Sequence, residues 1–294
     1  MFESIKNALD KSKNKTNGSS VYRNLLQLEP NEKPYTVRLL PNIKNPEETI
    51  LHYYHHGWNS IATGQYASIT SPSTWGDRCP VSELYFKVLR DGTDAEKERA
   101  KANLRRKENW LVNVYVVNDP KKPENNGTIK VLRYGKQLDK IIQSAINGDD
   151  AEEFGARIFD LSPEGCSLRI KVELVSDKPG APKYPTYTAS KFLNAAAIEG
   201  LDDEARIQEL YNNIYDLNTF VERKSNEEIK SFIDTHYYGN AEAAPVAAPV
   251  AEEEEDVPYE APAPKVVVKP AAKAESTASN DDKVLDILNG LDNI

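Results

Sequence analysis

An α+β, mainly β fold is what the sequence predicts, on three observations. Several segments alternate apolar and polar residues with the period of two that a half-buried strand needs. Helix-start signals stand between them, and long polar excursions separate the regular segments. Tyr35-Thr36-Val37-Arg38-Leu39-Leu40 alternates as a strand and is closed by Pro41. The run from Trp110 to Val117 is β-rich and apolar on both sides, and Thr128 to Tyr134 alternates again. Cys166, Leu168, Ile170, Val172 and Leu174 give the clearest alternation, with Ser167, Arg169, Lys171 and Glu173 on the opposite side. Helices are predicted after the capping box Thr93-x-x-Glu96 on to Lys107, at Leu138, Ile141, Ile142 and Ala145 ahead of Gly148, and after Ser225-x-x-Glu228. Short strands with long polar insertions suit an elaborated five-stranded barrel of the OB type, with a general α+β domain as the alternative.

Both ends depart from this pattern. Phe2, Ile5, Ala8 and Leu9 fall at helical spacing and lead into Lys11, Ser12, Lys13, Asn14, Lys15 and Thr16, a basic arm over residues 1–20. After Gly239 the composition shifts to Ala, Pro, Glu and Val, with 6 of the 18 prolines within residues 241–280, as in a disordered linker. Residues 281–294 place Leu285, Ile287, Leu288 and Leu291 among aspartates, the form of an acidic amphipathic docking peptide. The core is therefore expected over 21–240.

The net charge of −9 argues at first against a polyanionic partner. Its distribution reverses that argument. Residues 241–294 hold 12 acidic and 4 basic residues, a net −8, so the preceding 240 are nearly neutral. Residues 101–140 hold 10 basic and 4 acidic residues, a local excess of +6. No apolar run reaches the ~20 residues of a membrane span, and the first residues lack the apolar region of a signal peptide. A soluble cytoplasmic protein with no membrane partner is expected, its two cysteines reduced.

Catalytic signatures are absent: there is no P-loop, no G-x-S-x-G, no H-E-x-x-H and no G-x-G-x-x-G. His52, His55 and His56 precede Cys79, but Ser82 stands where a C-x-x-C pair would need its second thiol, so the residues suit core or surface as well as a metal site. The 15 tyrosines against 7 phenylalanines are more telling, because Tyr suits partly exposed rings. Trp110 follows Arg105-Arg106-Lys107, Tyr134 stands between Arg133 and Lys136, and Tyr184 and Tyr187 lie in a Pro-rich segment beginning at Lys178. Each ring alone fits a core. Interleaved with cations, the group points to single-stranded nucleic acid, whose phosphates follow positive charge and whose unpaired bases stack on rings. A scaffold whose basic patch meets an acidic protein is the rival reading, and a metal-dependent nuclease the third.

Short matches in one order carry a further step: Val37-Arg38-Leu39-Leu40-Pro41, His56-Gly57, Ser73-Thr74-x-Gly76-Asp77 leading to Cys79-Pro80-Val81, Arg105-Arg106-Lys107 running into Trp110, Val116-Val117-Asn118-Asp119-Pro120, Arg133-Tyr134-Gly135-Lys136 and Ser190-Lys191-Phe192-Leu193-Asn194. The chain resembles the single-stranded DNA-binding, helix-destabilising proteins of T-even-type bacteriophages over most of residues 1–240. The resemblance implies a non-enzymatic protein with an OB-fold core and a small subdomain at about residues 50–107, acting in replication, recombination and repair in the cytoplasm of the infected host. It carries over groove rings to Trp110, Tyr184 and Tyr187 and a cationic wall to Arg105-Arg106-Lys107 and Arg133-Tyr134-Gly135-Lys136; together with the residues themselves, the expectation is bases on Trp110, Tyr134, Tyr184 and Tyr187, and phosphates along Arg105, Arg106, Lys107, Lys130, Arg133 and Lys136. It implies cooperative self-association through an arm, here with Lys11, Lys13 and Lys15, and docking of replication and recombination proteins on the acidic tail. The family's zinc ligands fall on His56, Ser71, Cys79 and Ser82; with two cysteines replaced by serine, the expectation is a subdomain without zinc and a protein without cofactor.

Overall fold

The computed structural model describes residues 23–176, 181 and 183–240. The basic arm, the linker at 241–280 and the docking peptide at 281–294 lie outside the described residues. The strands are β1 (Leu25–Leu26), β2 (Tyr35–Leu40), β3 (Ile50–Asn59), β4 (Tyr66–Thr70), β5 (Lys107–Asn118), β6 (Ile129–Tyr134), β7 (Leu168–Ile170), β8 (Glu173–Val175), β9 (Tyr184–Thr186) and β10 (Lys191–Phe192). The helices are α1 (Pro80–Asp91), α2 (Asp94–Asn103), α3 (Lys136–Asn147), α4 (Glu204–Asn212) and α5 (Asn226–His236). The protein is thus mixed α+β around a mainly β core.

Strand β5 is the spine. On one side its first half pairs antiparallel with β3 and its second half with β2, while β6 pairs antiparallel on the other side. The sheet continues from β6 to a parallel β1, from β2 through β7 to β10, and from β3 to β4. β8 and β9 form a separate antiparallel pair.

The alternation read from the sequence explains why β5 can be central. Val112, Val114 and Val116 face a main core with Val37, Leu39, Leu132, Leu138, Ile142, Leu168 and Ile170. The alternate residues Leu111 and Tyr115 are covered from the other side by residues 198–221, which supply Leu201, Leu210, Leu217 and Val221. A third cluster joins Trp58, Ile69, Cys79, Val81, Ala100 and Leu104 to Ile229, Ile233 and Tyr237, so α5 returns from late in the chain to seal the hairpin β3–β4 and the helices α1 and α2.

Both predicted capping boxes form. Thr93 accepts from the Glu96 amide while Glu96 accepts from the Thr93 amide, and Ser225 and Glu228 do the same. The helix after Thr93 ends at Asn103, and Lys107 already belongs to β5. The predicted strand from Cys166 to Leu174 divides: β7 joins the main sheet, β8 joins β9, and Leu174 is 49 % exposed. The break falls at Lys171, whose amide donates to Ser190 Oγ rather than to a strand neighbour.

Arg38, from the segment that begins the family resemblance, is a structural residue. It is 1 % exposed. Its guanidinium donates to Ser167 Oγ (3.1 Å), to the carbonyls of Ser162 (3.3 Å) and Ala196 (3.1 Å), and to the carbonyl of Asp160. Gly165 lets the chain pass this close: any Cβ there would collide with the Asp160 carbonyl and the Arg38 guanidinium.

Candidate nucleic-acid interface

Where β5 leaves the main core, the side chains on that face change from aliphatic to aromatic. Trp110 is paired in register with Tyr134 of β6 and with His52 of β3. Residues directly opposite on neighbouring strands share a face, so the three rings form one row across the sheet. Trp110 and Tyr134 stack with centroids 5.9 Å apart at 16°, and Trp110 and His52 with centroids 4.9 Å apart at 30°. Tyr54, two residues along β3 on the same face, meets His52 edge-on at 4.7 Å. The Arg106 guanidinium lies over the Tyr54 ring at 4.0 Å and ends the row.

A carboxylate fixes the row from its edge. Glu108 accepts from Lys136 Nζ at 3.0 Å and bonds His52 Nε2 at 3.0 Å. Partial burial pushes the Glu108 carboxyl up, but those two partners outweigh it and hold its pKa below the ordinary value. The rings therefore sit in a fixed frame, with Arg106 over Tyr54 and Lys136 held on Glu108.

The sequence-predicted residues divide on this frame. Trp110 is half-buried, and its two faces are occupied by rings from opposite neighbouring strands. Tyr134, expected to stack on a base, is 3 % exposed and packs beside Trp110 within the row. Burial, with Asp139 nearby, pushes its hydroxyl pKa up.

The six expected phosphate ligands do not form one wall. Successive residues of a strand point to opposite faces. Arg106 and Lys136 flank the aromatic row, and Lys130, in register with Val114, belongs to that face with its Nζ on the Arg23 carbonyl (2.9 Å). Lys107 and Arg133 point to the other face, where both act on His55, and Lys107 approaches the Tyr66 ring at 5.5 Å. Burial first, then those two cations, hold His55 well below its ordinary pKa and so neutral. Gly57 admits the Tyr66 ring, which would collide with any Cβ there. Arg105 is exposed ahead of β5.

Tyr184 and Tyr187 are both half-buried. Their strand is held to the start of α3 by Gln137 Oε1, which accepts from the Tyr187 amide (2.7 Å) and the Thr186 hydroxyl (3.1 Å). That anchor lies next to Lys136 and three residues beyond Tyr134. Lys11, Lys13, Lys15, Leu285, Ile287, Leu288 and Leu291 lie outside the described residues. Sequence spacing does not point to His52 and Tyr54; only the β3–β5 register brings them beside Trp110.

Three of the four positions aligned with zinc ligands meet. His56 is fully buried and its Nδ1 donates to the Leu104 carbonyl (3.0 Å), which leaves Nε2 as an acceptor. Cys79 Sγ and Ser82 Oγ each lie 3.4 Å from that nitrogen. Burial pushes the imidazole down to about 4, so it is neutral near pH 7. Ser71 Oγ accepts instead from the Ser73 amide (3.4 Å) and starts a short 3-10 turn at Pro72–Trp75. One imidazole, one thiol and hydroxyls do not fit structural zinc, which takes four ligands from Cys, His and carboxylates. Among the described residues no group of three or more His, Cys, Asp or Glu is placed to hold a metal.

Among the described residues no helix is long and apolar enough to cross a membrane. Residues 33–236 match the family described as gp32 DNA binding protein like. The chain is 32 % identical over 200 residues to the single-stranded DNA-binding protein of Enterobacteria phage T4, and 31 % identical over 200 residues to that of Enterobacteria phage T2. Each match covers 67 % of this chain and 61 % of the relative, so the chain spans about three fifths of the length of the relatives it matches. With more than half of its residues inside the family match, the chain belongs to the gp32-like DNA-binding proteins.

Proposed function

We propose that the protein binds single-stranded DNA without sequence preference, in the replication, recombination and repair of a phage genome within the infected host cell. The observation that carries this reading is the row Tyr134–Trp110–His52–Tyr54, bordered by Arg106 and Lys136, in a chain of this family. Rings and cations in alternation suit unpaired strands, because stacking is indifferent to base identity and phosphates follow charge. The described sheet supports an elaborated OB-type core. Titration with oligo-dT, followed by tryptophan fluorescence, tests the reading. DNA bound along the row beside Trp110 predicts a change in tryptophan fluorescence that Trp110→Phe reduces, and an affinity that falls with log salt at a slope of about −0.7 per phosphate contact. No binding, or binding without salt dependence, contradicts it.

The termini complete the proposal. The arm, with Lys11, Lys13 and Lys15, docks on a neighbouring copy and makes binding cooperative, while Leu285, Ile287, Leu288 and Leu291 engage replication and recombination proteins. The −8 of residues 241–294 is tethered to a cationic site and competes there with DNA. Deletion of 241–294 is expected to tighten oligo-dT binding, most at low salt; an unchanged affinity and salt slope contradict the competition.

The region around His56 folds without zinc on this reading, because hydrogen bonds from Cys79 and Ser82 occupy the nitrogen that a metal would take and α5 supplies an apolar seal. Protein purified without added zinc is expected to melt at the same temperature, within about 2 °C, before and after chelator. A larger fall, with one equivalent of zinc found by metal analysis, contradicts this.

A further inference from the structure

The ring best placed to receive a base is not the one the sequence singles out. Trp110 is held between Tyr134 on β6 and His52 on β3, strands that flank β5 on opposite sides, so both of its faces are covered. His52 ends the stack. β3 pairs with β5 over Ile50–His55, whereas β4 joins β3 only from His55 onward, so at His52 the sheet has an edge. The His52 side chain is 38 % exposed there.

The orientation of His52 is set by its surroundings. Its Nε2 bonds Glu108 at 3.0 Å, Trp110 supports one face, and Tyr54 meets it edge-on. A ring locked in this way loses little freedom when a ligand stacks on it. Arg106, seated on Tyr54, brings positive charge next to His52, and Lys136 is held on the same Glu108 carboxylate that His52 bonds.

We propose that His52 is the stacking platform for an unpaired base, which continues the stack Tyr134–Trp110–His52 as its fourth member while Arg106 takes the adjoining phosphate. The base stacks on the outer face of the imidazole, over the sheet edge. Tyr54 then acts as a positioning residue that holds Arg106. The DNA path is thereby shifted from the middle of β5 to the edge of β3. This rests on the single-stranded DNA reading above.

The test uses the full chain and a dye-labelled oligo-dT read by anisotropy, with His52→Ala and His52→Phe beside the unaltered protein. His52→Ala is expected to weaken binding by about five- to a hundredfold, the range one base–aromatic stack supplies, with the salt slope unchanged because no phosphate contact is removed. His52→Phe keeps a ring and is expected to bind within about threefold of the unaltered protein. If the unaltered protein binds and His52→Ala binds equally well, the platform is overturned while the single-stranded DNA reading stands. If both variants lose affinity equally, the bond to Glu108 rather than a stack is what matters, and the proposal is likewise overturned. If the unaltered protein does not bind oligo-dT, the functional reading fails and the platform with it.

Discussion

Arg106→Glu combined with Lys136→Glu is expected to weaken oligo-dT binding by about a hundredfold or more at ~0.1 M salt. Two charge-assisted contacts of about 1.5 kcal/mol or more each are lost, and the reversed charges add repulsion. The salt dependence distinguishes this from general damage: with two fewer phosphates neutralised, the slope of log affinity on log salt should become shallower by about 1.4. Arg106 is exposed and Lys136 ion-pairs at the surface, so the fold should tolerate both changes. The corresponding reversal of Lys107 and Arg133, which point to the other face, should have a smaller effect. Equal losses for the two pairs would mean that the strand does not follow the aromatic row.

Arg38→Met is expected to cost about 3–5 kcal/mol of stability, read as a shift in the urea midpoint with little change in slope. The guanidinium is the donor for the carbonyls of Asp160, Ser162 and Ala196 and for Ser167 Oγ. Its removal leaves a buried group of acceptors unpaired, and no single methylene chain replaces a planar fork of donors. Arg38→Lys is expected to recover less than half of the loss for the same reason. A cost below about 1 kcal/mol for Arg38→Met would show that this network does not hold the loop at 160–167 against β2. Because Arg38 lies away from the aromatic row, any folded fraction of the variant should still bind DNA.

These two arginines show what the sequence made legible. Arg38 stood at a polar position of an alternating strand, where exposure is the ordinary outcome, and its burial depends on a loop more than 120 residues later in the chain. β2, β5 and β6 were legible because one or both faces are buried and their apolar residues keep phase. The helices at α2, α3 and α5 were legible from caps and periodicity that act within a few residues. The hairpin β3–β4 was not, because Ile50–Asn59 places histidine and tyrosine in both phases and so hides the alternation. Helix α1 was missed although Val81, Leu84, Tyr85 and Val88 have helical spacing; Cys79-Pro80 drew attention as a possible metal knuckle, whereas Pro80 is the first residue of the helix.

The site was legible in composition and not in arrangement. Proximity in sequence grouped Arg133 with Tyr134, yet adjacent residues of a strand face opposite ways, and only Tyr134 belongs to the row. Proximity also suggested that Trp110 presents a free ring. The register of β3 against β5 supplies His52 and Tyr54, which no local pattern joins to Trp110. Strand pairing is a long-range property, and the row is a consequence of it.

The central claim is a preference for unpaired strands set by an aromatic row between cations. Its most direct measurement is the anisotropy of one labelled dT oligonucleotide, alone and annealed to its dA complement, titrated with the full chain at about 50 and 200 mM salt. Binding of the single strand at least tenfold tighter than the duplex at both salts, with affinity falling as salt rises, is the predicted result. Equal affinity for the two forms, or tighter binding of the duplex, would contradict it.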